Sequence, residues 1–151
     1  MYFIIILLLF YSFHSFSITN DEYSVDITFL TDAGKTDIMK FGEKLTYRQF
    51  KGTASWKDSK GDYGTLKCMG NYISSEEIGT ILNNYCQGSN KDGDIFWLTM
   101  NRNSKDYDGG IGKIKYIYGE GKFKSFINKK CIYAIEISKD FSILKQNCKN
   151  N

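Results

Sequence analysis

The chain has 151 residues, with 20 Lys and Arg against 17 Asp and Glu, for a formal net charge of +3. A charge so small and so evenly spread excludes a dedicated nucleic-acid binder. Arginine is the side chain that best reads phosphates and base edges, yet only Arg48 and Arg102 are present and every other basic residue is a lysine.

The first 17 residues carry no charge, and residues 4–10 form an unbroken apolar run. That run is too short to cross a bilayer, which takes about 20 apolar residues. It is expected to be the apolar centre of a secretory signal peptide. Ser15 and Ser17 are small residues suitably placed for cleavage after Ser17, and polar sequence begins at Thr19. Residues 18–151 are then expected to form one exported domain, periplasmic or extracellular, with no transmembrane span. The one histidine, His14, lies in the segment expected to be removed.

In the mature part, Tyr23, Val25, Ile27 and Phe29 alternate with polar residues, the period of a half-buried strand. Residues 31–34 read as a turn, and residues 35–44 are ambiguous. Residues 47–57 are the plainest strand, with Phe50, Gly52, Ala54 and Trp56 on one face and Lys51, Thr53, Ser55 and Lys57 on the other. After a turn at 58–61, residues 63–73 put Leu66, Cys68, Gly70 and Tyr72 on one face, and the two strands predict a hairpin. Residues 74–77 have Ser-x-x-Glu capping-box spacing, but the apolar run behind them is weak. A turn or one helical turn is expected there, then a strand to about Cys86.

Asn90-Lys91-Asp92-Gly93 is a hairpin turn signal, because Asp-Gly readily takes positive φ. Residues 95–100 predict a strand and residues 101–110 a polar loop. Residues 111–118 predict a strand with Ile114, Tyr116 and Tyr118 inward. Residues 122–128 predict one helical turn, with Phe123 and Phe126 packing three apart. Residues 131–138 and 141–148 predict a closing hairpin around Lys139 and Asp140.

Four cysteines in a short exported chain are expected to form disulfides. Cys68–Cys86 and Cys131–Cys148 are the favoured pairs, because each brackets a hairpin. Each would close a loop of about 18 residues and contribute about 3 kcal/mol. No Cys-x-x-Cys spacing exists for zinc, and no histidine remains to help.

Short, regularly spaced strands with turn residues between them predict an all-β fold. The expectation is a small antiparallel β-barrel of about six to eight strands, with a β-sandwich as the alternative. Small residues (Gly52, Ala54, Gly70) among inward aromatics favour the barrel, whose taper uses such alternation.

Residues 52–70 read Gly-Thr-Ala-Ser-Trp-Lys-Asp-Ser-Lys-Gly-Asp-Tyr-Gly-Thr-Leu-Lys-Cys-Met-Gly. They are followed by Tyr85-Cys86, by Asp92-Gly93-Asp94-Ile95-Phe96-Trp97 and by Gly119-Glu120-Gly121-Lys122-Phe123. This order resembles a loose group of small exported bacterial domains of uncharacterised function. They are six- to eight-stranded barrels, similar in architecture to calycins and to allene oxide cyclase-like barrels. The resemblance spans about residues 47–125 and implies a fold but no functional residues. In that group the Gly-Lys-Phe segment leads into another glycine-rich strand, whereas here it runs into Asn128-Lys129-Lys130-Cys131. The resemblance therefore implies that the Cys131–Cys148 hairpin is a local addition.

Nucleophilic triads are excluded without histidine, and paired cysteines leave no thiol nucleophile. Gly109-Gly110-Ile111-Gly112 lacks the lysine and hydroxyl of a phosphate-binding loop. Asp92 with Asp94, and Asp106 with Asp108, are carboxylate pairs of the sort acid–base catalysis uses, read here as turn chemistry. Asn90, Asp92 and Asp94 offer oxygens to calcium but lack the later glutamate of an EF-hand. No metal or cofactor is expected.

The positive functional signal is aromatic. Trp56, Tyr72, Trp97 and Tyr116 are expected to face inward and line a pocket for a small apolar ligand, against the plainer reading that they simply fill the barrel. The expected function is non-catalytic binding of a small hydrophobic molecule or cell-envelope component. The alternatives are an interaction or inhibitor module acting through the 101–110 loop, and a cofactor-free cyclase or isomerase.

Overall fold

The structure, a computed structural model, describes residues 23–30, 37–138 and 140–149. The expected signal segment (1–17), the expected turn at 31–34 and Lys139 lie outside the described residues. The elements in order are β1 (Tyr23–Leu30), β2 (Ile38–Phe41), β3 (Leu45–Asp58), β4 (Tyr63–Ser75), β5 (Gly79–Asn90), β6 (Ile95–Ser104) and β7 (Gly109–Gly119). A 3-10 helix (Gly121–Phe126), β8 (Lys130–Ile137) and β9 (Phe141–Lys149) complete the chain order.

The strands from β3 to β9 run as an antiparallel meander, each paired with the next. β1 closes the sheet by pairing with β9 on one side and with β3 on the other. Eight strands thus make a closed antiparallel barrel, while β2 is a short extra strand beside the start of β3. Closure leaves the eight staves with few unpaired backbone groups, the main liability of an open sheet edge. Both expected disulfides are present, and each joins residues directly opposite one another: Cys68 with Cys86 between β4 and β5, and Cys131 with Cys148 between β8 and β9.

The period-two alternation of the sequence is the alternation of the walls. Val25, Ile27 and Phe29 on β1, Ala54 and Trp56 on β3, and Leu66, Cys68 and Tyr72 on β4 are all buried. Glycines on the inner face make room for rings. A Cβ at Gly88 would strike the ring of its cross-strand partner Phe96, and one at Gly112 the ring of its partner Tyr133.

Four local expectations are corrected. Residues 76–78 form a turn, as expected, but β5 runs on past Cys86 to Asn90. Most of the expected 101–110 loop is strand, because β6 continues its inward alternation through Met100 to Arg102, and only residues 105–108 lie between β6 and β7. Tyr118 faces outward at 44% exposure. Leu98 pairs with Tyr116 but Trp97 with Tyr118, so Ile117 is an extra residue that reverses the inward–outward parity at the end of β7. The hairpin of β8 and β9 is no local addition, since β9 is one of the two strands that β1 must pair with to close the barrel.

One end of the barrel is filled. Tyr23, Val25, Ile27, Trp56, Leu66, Phe96, Leu98 and Tyr116 leave a void of only about 10 Å³ there. Phe123 and Phe126 of the 3-10 helix complete this packing: ring centroids lie 4.3 Å apart for Phe96–Phe123 and 4.6 Å for Tyr23–Phe126. The helix is tied down electrostatically. Lys122 Nζ donates to Asp58 Oδ2 at 2.7 Å and also pairs with Asp62. Asp58 Oδ2 further accepts from the Tyr23 hydroxyl at 2.9 Å, while its Oδ1 accepts from the amides of Lys60 and Asp62.

Burial by itself raises the Asp58 carboxyl, but Lys122, the Asp62 amide and the Tyr23 hydroxyl outweigh it and hold the pKa below the ordinary value. For Asp62, burial is again outweighed, here by Lys122, the Tyr63 amide and Asn90. Lys122 is the mirror case: burial lowers its pKa, and the two carboxylates raise it further than burial depresses it.

Lys122→Met strands two carboxylates at the filled end. Since Lys122 is itself about one-third exposed, the loss at pH 7 is about 2 kcal/mol rather than the full cost of breaking a buried pair. Carboxylates with depressed folded-state pKa values stabilise fully above their unfolded value of about 3.9 and lose that contribution as pH falls through the folded value. Urea unfolding should therefore show the gap between wild type and variant closing below about pH 4. Replacing Cys131 and Cys148 together by Ala should cost about 3 kcal/mol in the same assay.

Candidate functional site

The other end of the barrel is hollow. A cavity of about 270 Å³ lies among inward residues of the barrel strands: Phe29 on β1, Arg48 and Phe50 on β3, Tyr72 on β4, Leu82 and Asn84 on β5, Met100 and Arg102 on β6, and Tyr133, Ile135 and Ile137 on β8. Ser142 of β9, Ile38 of β2 and Tyr107 of the 105–108 loop complete the lining. An eight-stranded barrel is just wide enough for side chains to fill or for one small ligand to occupy, and here the two outcomes sit at opposite ends. Glycine contributes to the hollow: Gly70 lies opposite Asn84, and a Cβ at Gly70 would collide with the Asn84 backbone and side chain.

Both arginines of the chain line this cavity. Arg102 is 3% exposed; its Nη2 donates to the Tyr107 carbonyl at 2.9 Å and its Nη1 to the Gly109 carbonyl, which fixes the guanidinium and holds the 105–108 loop. The Arg48 guanidinium carbon lies 5.6 Å from the ring centroids of both Tyr72 and Tyr107, within cation–π range. Its Nη1 donates to the Tyr72 hydroxyl at 3.2 Å, and that hydroxyl shares a 2.7 Å hydrogen bond with the hydroxyl of Tyr107.

Burial and the Tyr107 hydrogen bond push the Tyr72 hydroxyl well up, against the opposing pull of Arg48. Burial pushes Tyr133 up to about 12, with Arg102 opposing. Both phenols are therefore neutral at physiological pH and act as hydrogen-bonding groups, not as anions.

The lining holds no acidic residue, and among the described residues neither arginine forms an ion pair. Four buried polar atoms of the lining have no hydrogen-bond partner among the described protein atoms: Arg48 Nε, Arg102 Nε, Asn84 Oδ1 and the Tyr133 hydroxyl. Each such group costs about 1–3 kcal/mol relative to one that is satisfied. Their concentration around one cavity marks it as the chemical focus of the molecule.

Of the four aromatic residues expected from sequence to line a pocket, only Tyr72 does so. Trp56 and Tyr116 face inward but pack in the filled end. The Trp56 indole N–H donates to the Thr65 carbonyl at 3.2 Å, and the Tyr116 hydroxyl, pushed up to about 12 by burial, accepts from Gln146 at 3.0 Å. Trp97 is on the outer surface, 48% exposed, beside Tyr118 at 5.7 Å. The reason is parity: Phe96, Leu98, Met100 and Arg102 hold the inward positions of β6.

The carboxylate pairs lie elsewhere. Asn90 Oδ1 accepts from the amides of Asp92 and Asp94 at 3.1 and 2.8 Å, so these residues build the β5–β6 turn, and Asp106 and Asp108 belong to the 105–108 segment without lining the cavity.

Sequence reading missed Arg48, Asn84, Met100, Arg102 and Tyr133. Arg48 shares the parity of Phe50, and Arg102 that of Met100, which is the signal that would have found both arginines. No protein-family model matches the chain, and no curated protein matches it in sequence.

Proposed function

We propose that the protein is an exported, calycin-like binding barrel that holds one small, largely apolar molecule in its hollow end without transforming it. The observation that carries this reading is the cavity of about 270 Å³ walled by Phe29, Phe50, Leu82, Met100 and Ile135, in a barrel whose opposite end is packed solid. Taking about 30 Å³ per water-sized group, the space suits a ligand of about nine or ten non-hydrogen atoms.

Binding is preferred to a cyclase or isomerase because the lining supplies no carboxylate for acid–base work. Export is supported by the two disulfides, a bond type that persists in oxidising compartments, and by the uncharged, apolar first 17 residues. The resemblance to small exported bacterial barrels points the same way.

A second reading, association with another protein, is favoured by the outer face where Met69, Tyr85, Trp97 and Tyr118 are each more than 40% exposed. It moves the contact surface from the 101–110 segment, now largely strand, to the outside of β4–β7.

The test of the ligand reading is an NMR titration of the protein with 1-octanol, monitoring the methyl groups of Met100 and Ile135. Nine non-hydrogen atoms at about 0.5 kcal/mol each, within the range that small ligands reach, correspond to a dissociation constant of about 0.1–1 mM. Leu82→Trp, which fills the cavity from its wall, should abolish those shifts while leaving the fold intact by circular dichroism. Unperturbed methyl signals at saturating octanol would sink the reading.

A further inference from the structure

We infer that the ligand is an anion, a small carboxylic acid whose carboxylate is held between Arg48 and Arg102 while its apolar body lies against Phe50, Met100 and Ile135. The inference rests on the proposal that the hollow end binds a small apolar molecule, and adds the charge and geometry of its head.

The first observation is placement. The chain uses lysine almost everywhere for positive charge, yet its two arginines both point into one cavity. Lysines on the barrel strands face out, as Lys113 and Lys115 do on β7. The two guanidiniums converge on one residue: Arg102 donates to the Tyr107 carbonyl while Arg48 lies over the Tyr107 ring. Two like charges lining one cavity repel, and among the described residues neither arginine has a carboxylate within ion-pair distance. A bound anion supplies the missing charge.

The second observation is the set of unpartnered donors. The Nε–H of each arginine is buried without a partner, and the Tyr133 hydroxyl, 1% exposed, is also unsatisfied. These groups donate to an anion. Asn84 Oδ1, the fourth unsatisfied atom, is an acceptor that lies against Gly70 and is not counted among these donors. A planar guanidinium matches a carboxylate in a two-pronged hydrogen bond that a lysine ammonium cannot make.

The third observation is rigidity. Two backbone carbonyls fix Arg102, and two tyrosine rings hold Arg48. The receptor is ordered before the ligand arrives, which lowers the entropic cost of binding.

A purely structural role explains Arg102 in part, since it holds the 105–108 loop through the carbonyls of Tyr107 and Gly109. It does not explain Arg48, whose one side-chain hydrogen bond among the described residues goes to the Tyr72 hydroxyl. Arg48 is therefore the diagnostic position.

The experiment compares octanoate with 1-octanol, which share a chain length and differ in the charge of the head, by calorimetry on the full protein at pH 7. Octanoate should bind at least about tenfold more tightly than octanol. Arg48→Gln should remove that advantage, so that the variant binds octanoate and octanol within about twofold of each other. Equal affinities for the two probes in the wild type, or an advantage that survives Arg48→Gln, would overturn the anion assignment while leaving the apolar cavity standing. Failure of both probes to bind would overturn the assignment together with the proposed function. The wild-type comparison needs no variant, so a misfolded Arg48→Gln would not leave the question open.

Discussion

Everything in this molecule depends on the closure of its sheet by the first strand. β1 pairs with β9 and with β3 at once, joining the two ends of a seven-strand meander. Without it both of those strands would present open edges, and the inward faces of all the strands would lie on an open sheet. With it, the number of staves is eight, and the interior width is set by that number. The disulfides reinforce neighbouring strands within this closed wall, Cys68–Cys86 across β4 and β5 and Cys131–Cys148 across β8 and β9. They strengthen the barrel, but the β1 pairings create it.

Given one interior width, the two ends diverge through the size and chemistry of their side chains. At the filled end, large rings from four strands meet two more from the 3-10 helix. The helix is anchored where Asp58 gathers a lysine, a tyrosine hydroxyl and two backbone amides. Asp58 is one of the most buried acids described, and its charge is compatible with burial because every neighbour donates to it. At the hollow end the inward positions go to Asn84, Arg48 and Arg102, whose polar groups resist collapse onto a dry core. The hollow is thus a property of the residues that face it, not a packing defect.

The charge systems at the two ends of the barrel differ in how their charges are met. Asp58, Asp62 and Lys122 form a closed set in which opposite charges meet and the hydrogen bonds are made. Arg48 and Arg102 carry positive charge with aromatic faces and carbonyls around them but no carboxylate among the described residues. The fold thus pairs its charges at one end, where Lys122 bridges two carboxylates, and leaves two guanidiniums without an ion pair among the described residues at the other.

The sequence by itself determined the all-β class, most of the strands, the turn at Asn90–Gly93 and both cysteine pairs. Each is a short-range property: the alternation of side chains along a strand, the φ preference of Asp-Gly, and the brackets that cysteines place around hairpins. It also put Trp56, Tyr72 and Tyr116 correctly on inward faces. Tertiary structure alone decided which inward residues share a space. Tyr72 and Trp56 obey the same alternation, yet one lines the cavity and the other sits in the packed end, because depth along the barrel is set by cross-strand register and strand tilt. Trp97 and Tyr118 were misplaced for related reasons: Phe96 already holds the inward parity of β6, and the extra residue at Ile117 reverses that of β7. Arg102 stayed hidden because a charged residue among polar neighbours reads as loop, and only the barrel wall around it makes an inward arginine tenable.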